Sequence, residues 1–267
     1  MPDAASALAR RVRQLVIEQS YRANVGHIGS ALSVADILAA LFSGALRGDP
    51  GEEDRDRFVL SKGHAALGLY AVLSANGRLS SDELESFCGE GSPLGVHPEH
   101  VLEGVDFSTG SLGHGLSIGA GAALAARLQG SARRTYVLLS DAECNEGSLW
   151  EAAMFAAHHG LDNLRAVVDV NGQQALGKTC DVLDLEPLGE RFAAFGWRVL
   201  EVDGHDVHAL GDALQGGDGG SPSVVLARTT FGRGVSYMES ELQWHYWPMN
   251  EQQYAHALAD LAREGGE

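Results

Sequence analysis

The chain has few of the features that mark a secreted, membrane-bound or nucleic-acid-binding protein. Its three cysteines, Cys88, Cys144 and Cys180, form neither a disulfide framework nor a metal or redox pair. Their scatter suits a reducing compartment, so a cytoplasmic location is expected. Basic residues are scarce, 19 against 36 acids, and the formal net charge is −17. That excess argues against nucleic acid and anionic membrane surfaces as partners. An anionic small molecule would need local help, from a metal ion or from aimed backbone amides. No apolar run approaches the ~20 residues of a membrane-spanning helix. The stretch "MPDAASALARRVRQLVIEQSYRANVG" carries arginines where a signal peptide needs an apolar centre. There is no sustained internal repeat, and "QGGDGGS" reads as a surface loop rather than a domain linker.

What remains is a chain of 267 residues, 45% of them hydrophobic, enough for the core of one large α/β domain. The patterning predicts a helix over 4–23, a Gly/His turn "NVGHIGS", and a helix "VADILAALFSGAL" with Ser33 as its N-cap. A buried strand over 57–61 precedes a helix over 65–75, and "LSSDELESF" reads as a capped helix. Residues 88–111 carry Gly, Pro and His and read as a long ordered loop, which suits a functional segment. "GHGLSIGAGAALAARL" is a helix with a small-residue side. Strands over 135–139, 165–170 and 197–202 then alternate with helices over 146–159, 185–195 and 206–214. A flexible "QGGDGGSPS", a last strand "VVLARTT" and a glycine-rich tail complete the chain. Short apolar runs alternating with helices predict a parallel sheet with helices on both faces.

Two polar residues end two of those strands. Asp141 follows "YVLLS" and Asn171 follows "AVVDV" one crossover later. Ligands of open parallel sheets sit outside the carboxyl ends of the strands, so both oxygens reach the same edge. Such hard oxygens with vacant positions suit Mg²⁺ or Ca²⁺, completed by water and phosphate. A loop-capping Asp beside an Asn in a turn would give the same pattern. "HPEH" lacks a second ligand pair for zinc, and "GHGLSIGAG" has the wrong glycine spacing for a dinucleotide fingerprint.

The blocks around these residues are more specific. "SDAECNEGSLWEAAMFAAHHGLDNLRAVVDVNGQQALGKT" resembles the thiamine-diphosphate motif of transketolases. "GHIGSALSVADILAALF", "RFVLSKGHAALGLY", "STGSLGHGLSIGAG", "FGWRVLEVDGHD" and "GRGVSYMESELQWH" match the same family in order. The likeness runs from about residue 10 to 247 and is greatest to the N-terminal subunit of split transketolases. It implies a thiamine diphosphate-binding fold over 1–267 as one domain, with the pyrimidine-binding domain on another polypeptide. Asp141 and Asn171 would ligate the metal through side chains and Gln173 through its backbone carbonyl. The amide of Ala142 would touch the diphosphate. Here the chain departs from the family, whose Gly-Asp-Gly is Ser140-Asp141-Ala142; glycine lets backbone approach phosphate, and alanine is the smallest departure from it, so the site is expected to survive in weakened form. Gly110 and Leu112 match the segment that meets the aminopyrimidine, and His114 stands where a glutamine is more familiar. Glu146 matches the acid that contacts the partner domain's catalytic glutamate; by itself it would be a first-turn helix acid.

Four histidines match family positions: His64 and His245 near the cofactor, His27 and His97 near the sugar hydroxyls. Imidazole can donate or accept near neutral pH, which suits polyol recognition. Val96 replaces the usual glycine before His97. Tyr246-Trp247 replace small or basic residues after His245, either as interface packing or as a narrowed channel mouth. The implied activity is transfer of a two-carbon ketol unit from a ketose phosphate, or a related ketose, to an aldehyde. The chain would act only with a C-terminal pyrimidine-domain subunit, as an α₂β₂ assembly. The alternatives are a subunit of a 2-oxoacid dehydrogenase or carboligase, a transketolase-like enzyme of specialised metabolism, or a non-catalytic scaffold.

Overall fold

The apolar runs of the sequence assemble into one parallel sheet in a computed structural model of the chain, which describes residues 4–216 and 219–264. The strands are β1 (Arg57–Leu60), β2 (Thr135–Ser140) and β3 (Leu164–Val170). A small antiparallel hairpin follows, β4 (Gln173–Gln174) and β5 (Gly177–Lys178). The chain then crosses to β6 (Arg198–Asp203) and returns as β7 (Ser223–Arg228). The sheet order is β1-β2-β3-β7-β6, all parallel. The helices are α1 (Ala4–Ala23), α2 (Ile28–Ser33), α3 (Ala35–Ala40), α4 (Ala66–Ala75) and α5 (Ser81–Glu85). They continue with α6 (Gly115–Leu128), α7 (Gly147–His158), α8 (Thr179–Leu183), α9 (Leu188–Ala194), α10 (Val207–Gln215) and α11 (Glu251–Glu264).

Side chains alternate across a strand, so each central strand feeds two cores. Phe58, Leu60, Tyr136, Leu138, Val167 and Val225 pack on the side of α1–α4, α10 and α11. Val59, Val137, Leu139, Ala166, Val168 and Val224 pack on the side of α6, α7 and α9. Burial on both faces explains why these strands read as continuous apolar runs. The expected α/β architecture, a parallel sheet covered on both faces, is what the chain forms.

Several local expectations differ. Ser33 ends α2 instead of capping a helix, because its hydroxyl is taken by Asp169 Oδ2 at 2.7 Å. The helix expected over 185–195 forms only as α9, with Pro187, which lacks an amide hydrogen, at its N-cap, and α8, before it, was not expected. The hairpin β4–β5 was not expected, and the tail beyond Arg228 closes with α11, whose Ala257 is fully buried against the first core. The loop 88–111 holds no regular element but is pinned: Tyr70 Oη donates to His97 O at 3.0 Å, and Thr109 Oγ1 to Leu60 O at 2.6 Å. Of the stretch expected to be flexible, residues 217–218 lie outside the described residues. No helix among the described residues is long and apolar enough to cross a membrane.

Candidate functional site

At the carboxyl ends of β1, β2 and β3 lies a cavity of about 360 Å³. Each of those strands gives way to a short turn or 3₁₀ segment. Ser61-Lys62-Gly63-His64 follows β1, Asp141 with the 3₁₀ turn Ala142–Asn145 follows β2, and Asn171-Gly172 follows β3. The lining includes His27, His64, His97, Gly110, Leu112, Ala142, Glu146, Asn171, Gln173 and His245. One site therefore collects residues more than 200 positions apart. Asp141 lines a second cavity of about 360 Å³ on the other side of Asn171, and the two cavities share Asn145 and Asn171.

Asp141 and Asn171 meet through the backbone turn between them. Asp141 Oδ2 accepts the amide of Gly172 at 2.8 Å, and Asn171 Oδ1 accepts the amide of Gln173 at 2.9 Å. Asp141 Oδ1 accepts the amide of Ala142 at 2.8 Å, so the donor expected to face a phosphate is held here by the carboxylate. Burial, and then the charge of Asp169, push the Asp141 carboxyl up to about 7.

A buried polar network supports these two residues, and sequence reasoning missed it. Asp169, fully buried in β3, accepts bonds at Oδ2 from Lys62 Nζ, from Ser33 Oγ at 2.7 Å and from Asn171 Nδ2 at 2.9 Å. Its Oδ1 accepts from Thr229 Oγ1. Asp169 thus fixes the amide group of Asn171, leaving Oδ1 on the side of the Gln173 turn. Glu143, also fully buried, accepts from Ser61 Oγ and from Gly113 N at 2.8 Å, joining the β1 turn to the loop before α6. An acid inside the apolar run "AVVDV" was a readable signal, because strands disfavour Asp and buried carboxylates are nearly always paired.

The histidines cluster. The ring centroids of His27 and His64 lie 5.6 Å apart, and those of His64 and His245 lie 6.4 Å apart. The ring of His97 packs against Gly110, where a built Cβ would lie 3.5 Å from Cδ2. Burial lowers the pKa of His27, with His97 adding to the effect. Burial and then Lys62 drive His64 well below its ordinary value and His245 to about 4. These three imidazoles are neutral at pH 7. Glu146 is exposed at the N-cap of α7, its stem packed against Gly113. His114 is exposed at the start of α6, and Trp247 is 65% exposed.

Nine buried side-chain nitrogen or oxygen atoms among the described residues lack a hydrogen-bond partner. Five of them, His27 Nδ1, Ser30 Oγ, Asn145 Oδ1, Gln174 Nε2 and His245 Nε2, belong to residues lining this one cavity. Each unmade buried bond costs on the order of 1–3 kcal/mol. Such a concentration marks a cavity whose polar atoms are completed by water or by a polar ligand that displaces it. Among the described residues no three His, Cys, Asp or Glu side chains come together as a metal cluster. The available donors are one carboxylate, one amide oxygen and backbone carbonyls, the hard-oxygen set that suits Mg²⁺ or Ca²⁺ rather than zinc. Asp141 and Asp169 face the single buried ammonium of Lys62, so a bound cation also fits the charge balance.

Fold and cavity together define a ligand-binding α/β domain whose site lies at the carboxyl edge of a parallel sheet. The chain belongs to the transketolase family: residues 4–264 match the family described as "Transketolase, thiamine diphosphate binding domain". It is 40% identical over 255 residues to one subunit of the apulose-4-phosphate transketolase of Phocaeicola vulgatus, covering 94% of this chain and 91% of that one. It is 38% identical over 263 residues to the 6-deoxy-6-sulfo-D-fructose transketolase subunit SqwG of a Clostridium species, covering 96% of each. Among solved structures, Campylobacter jejuni transketolase superimposes with a TM-score of 0.91 at 31% identity, covering 98% of this chain and 43% of that one. The chain thus spans less than half the length of that solved transketolase but nearly the whole of the two subunit relatives.

Proposed function

We propose that the chain is the diphosphate-binding subunit of a two-polypeptide transketolase, one domain over 1–267, acting in the cytoplasm with a separate pyrimidine-domain subunit. The convergence of five unpartnered polar atoms on one cavity beside a carboxylate–amide pair carries this reading. The names of the two subunit relatives support the division into polypeptides. The assembly proposed is an α₂β₂ heterotetramer.

In this reading Asp141, Asn171 Oδ1 and the Gln173 carbonyl would hold Mg²⁺ or Ca²⁺, the cation that a diphosphate in this cavity requires. Thiamine diphosphate, when bound, supplies the carbon nucleophile and electron sink for ketol transfer. His64, His245, Gly110, Leu112 and Ala142, which line the cavity, would hold it there, the histidines and the 110–112 segment toward its rings and Ala142 toward its diphosphate. Glu146, exposed at the edge of the cavity, contacts the partner's catalytic carboxyl. His27 and His97 hydrogen-bond sugar hydroxyls, each ring offering nitrogens that donate or accept. Burial keeps His27 neutral, so it does this without the penalty of a buried charge. The substrate class is a ketose phosphate, or a ketose with another anionic group, as donor and an aldehyde as acceptor.

The test is reconstitution. The chain, its pyrimidine-domain partner, thiamine diphosphate and Mg²⁺ are combined with xylulose 5-phosphate, fructose 6-phosphate or pyruvate as donor. Ketol transfer from a sugar phosphate only when both chains are present is the expected result. Turnover by this chain alone, or with pyruvate in place of sugar phosphates, contradicts it.

A further inference from the structure

The hairpin β4–β5 leaves the site immediately after Asn171, and nothing in its own structure explains its position. Each strand has two residues, too few for independent stability. Leu176 at its tip is 77% exposed, so apolar packing does not hold it. Its placement comes from hydrogen bonds, beginning with the Gln173 amide on Asn171 Oδ1. The amide of Thr179 closes the base on Gly172 O at 3.1 Å, and Gln173 Nε2 donates to Ser240 O at 3.1 Å. At the far end, Tyr246 Oη donates to Ala175 O at 2.5 Å.

Tyr246 is a stiff anchor for that bond. Its amide donates to Gln243 O at 3.0 Å, and its carbonyl lies so near Gly26 that a built Cβ there would stand 2.3 Å away. The next residue toward the N-terminus, His245, receives the amide of His27 at its carbonyl. Tyr246 therefore ties the hairpin to the backbone that carries two cavity histidines. Between Tyr246's hydroxyl contact and Asn171 sits Gln174, whose Nε2 is buried, without a partner, and part of the cavity lining. Leu176, Tyr246 and Trp247 are exposed while their neighbours Ala175 and His245 line the cavity, so the hairpin stands where the cavity meets the surface.

We propose that Tyr246 latches the 173–178 hairpin across the cavity mouth, and that this places Gln174 as a hydrogen-bond donor to a hydroxyl or phosphoryl oxygen of the substrate. The substrate role rests on the transketolase reading; the latch does not. Gln174 is assigned to substrate and not to cofactor because it lies on the hairpin at the mouth. An amide N–H there recognises an oxygen acceptor of a polyol or its phosphate ester.

The chain offers a clean probe of the latch. It has two lysines, Lys62, fully buried, and Lys178, exposed on β5, so endoproteinase Lys-C can cut the native chain only in the hairpin. Tyr246→Phe removes only the hydroxyl. It is expected to speed cleavage after Lys178 by about fivefold or more, because local opening sets the rate of native-state proteolysis. Gln174→Ala in the reconstituted pair is expected to raise KM for donor or acceptor by about tenfold, the size of one lost hydrogen bond. Its kcat and its thiamine diphosphate Kd, by calorimetry, stay within about twofold. Tyr246→Phe shifts the same KM in the same direction. Unchanged cleavage in Tyr246→Phe overturns the latch. An unchanged KM in Gln174→Ala, or a weakened cofactor Kd in its place, overturns the substrate contact. A wild-type pair that binds cofactor but transfers no ketol unit overturns the functional reading and Gln174's role, while the cleavage rates still decide the latch.

Discussion

Replacing Lys62 by methionine tests whether the buried network beneath the site is electrostatic in origin. Lys62 and Asp169 are both completely buried and paired. Methionine nearly matches the lysine stem in volume, so the change removes a charge with little loss of packing. It strands the Asp169 carboxylate, and removing one partner of a buried pair costs about 3–5 kcal/mol. Asp169 keeps the hydroxyls of Ser33 and Thr229 and the amide of Asn171. Those bonds place the expected cost near the lower end, about 3 kcal/mol, or a fall of roughly 6–12 °C in Tm for a domain of this size. Adding Asp169→Asn removes the stranded charge, so the double variant melts higher than Lys62→Met alone. Thermal melts by circular dichroism near neutral pH measure both. A single variant within about 2 °C of wild type, or a double variant that melts lower than the single, refutes the electrostatic account.

His245 makes stability pH-dependent. Its folded pKa of about 4 lies below the ordinary 6.5, so the unfolded chain binds more protons between those values, and stability present above pH 6.5 is lost as pH falls toward 4. The ceiling on that loss is roughly 3 kcal/mol, and a smaller acid-side slope in His245→Phe than in wild type, by urea titration at several pH values, is the expected outcome. Gly113→Ala should destabilise the chain by about 1–3 kcal/mol, because Gly113 has φ +87° and a built Cβ would lie 2.6 Å from Glu146 Cβ; a melt matching wild type would contradict it. Glu146→Gln should leave the stability of this exposed position within about 0.5 kcal/mol while lowering ketol transfer in the reconstituted pair; unchanged turnover would remove Glu146 from the proposed site.

The parallel sheet was legible because both faces of its central strands are buried, which writes "YVLL" and "AVV" as continuous apolar runs. The meeting of Asp141 with Asn171 was legible from the strand ends, since parallel neighbours present their last residues on one edge. The connections were harder to read. Ser33 looks like a helix cap until Asp169, 136 positions away, claims its hydroxyl. Lys62 and Asp169 sit beside noticed residues, but their pairing is a tertiary contact across 107 positions. The hairpin β4–β5 has too few residues to leave a period in the sequence, and its position depends on Tyr246, 71 positions from Ala175. Placement of the terminal helix α11 likewise depends on the groove it fills beside α1, where Tyr21 and Tyr254 stack at 4.2 Å.

If Asp141 and Asn171 hold a divalent cation that fixes a diphosphate in this cavity, cofactor binding must depend on that cation. Calorimetry of the chain with its pyrimidine-domain partner, titrated with thiamine diphosphate in the presence and absence of Mg²⁺, tests it most directly. Wild type should bind only with the cation, and Asp141→Ala, in a pair that still assembles, should lose that binding. Metal-independent binding by wild type, or undiminished binding by Asp141→Ala, would contradict the account.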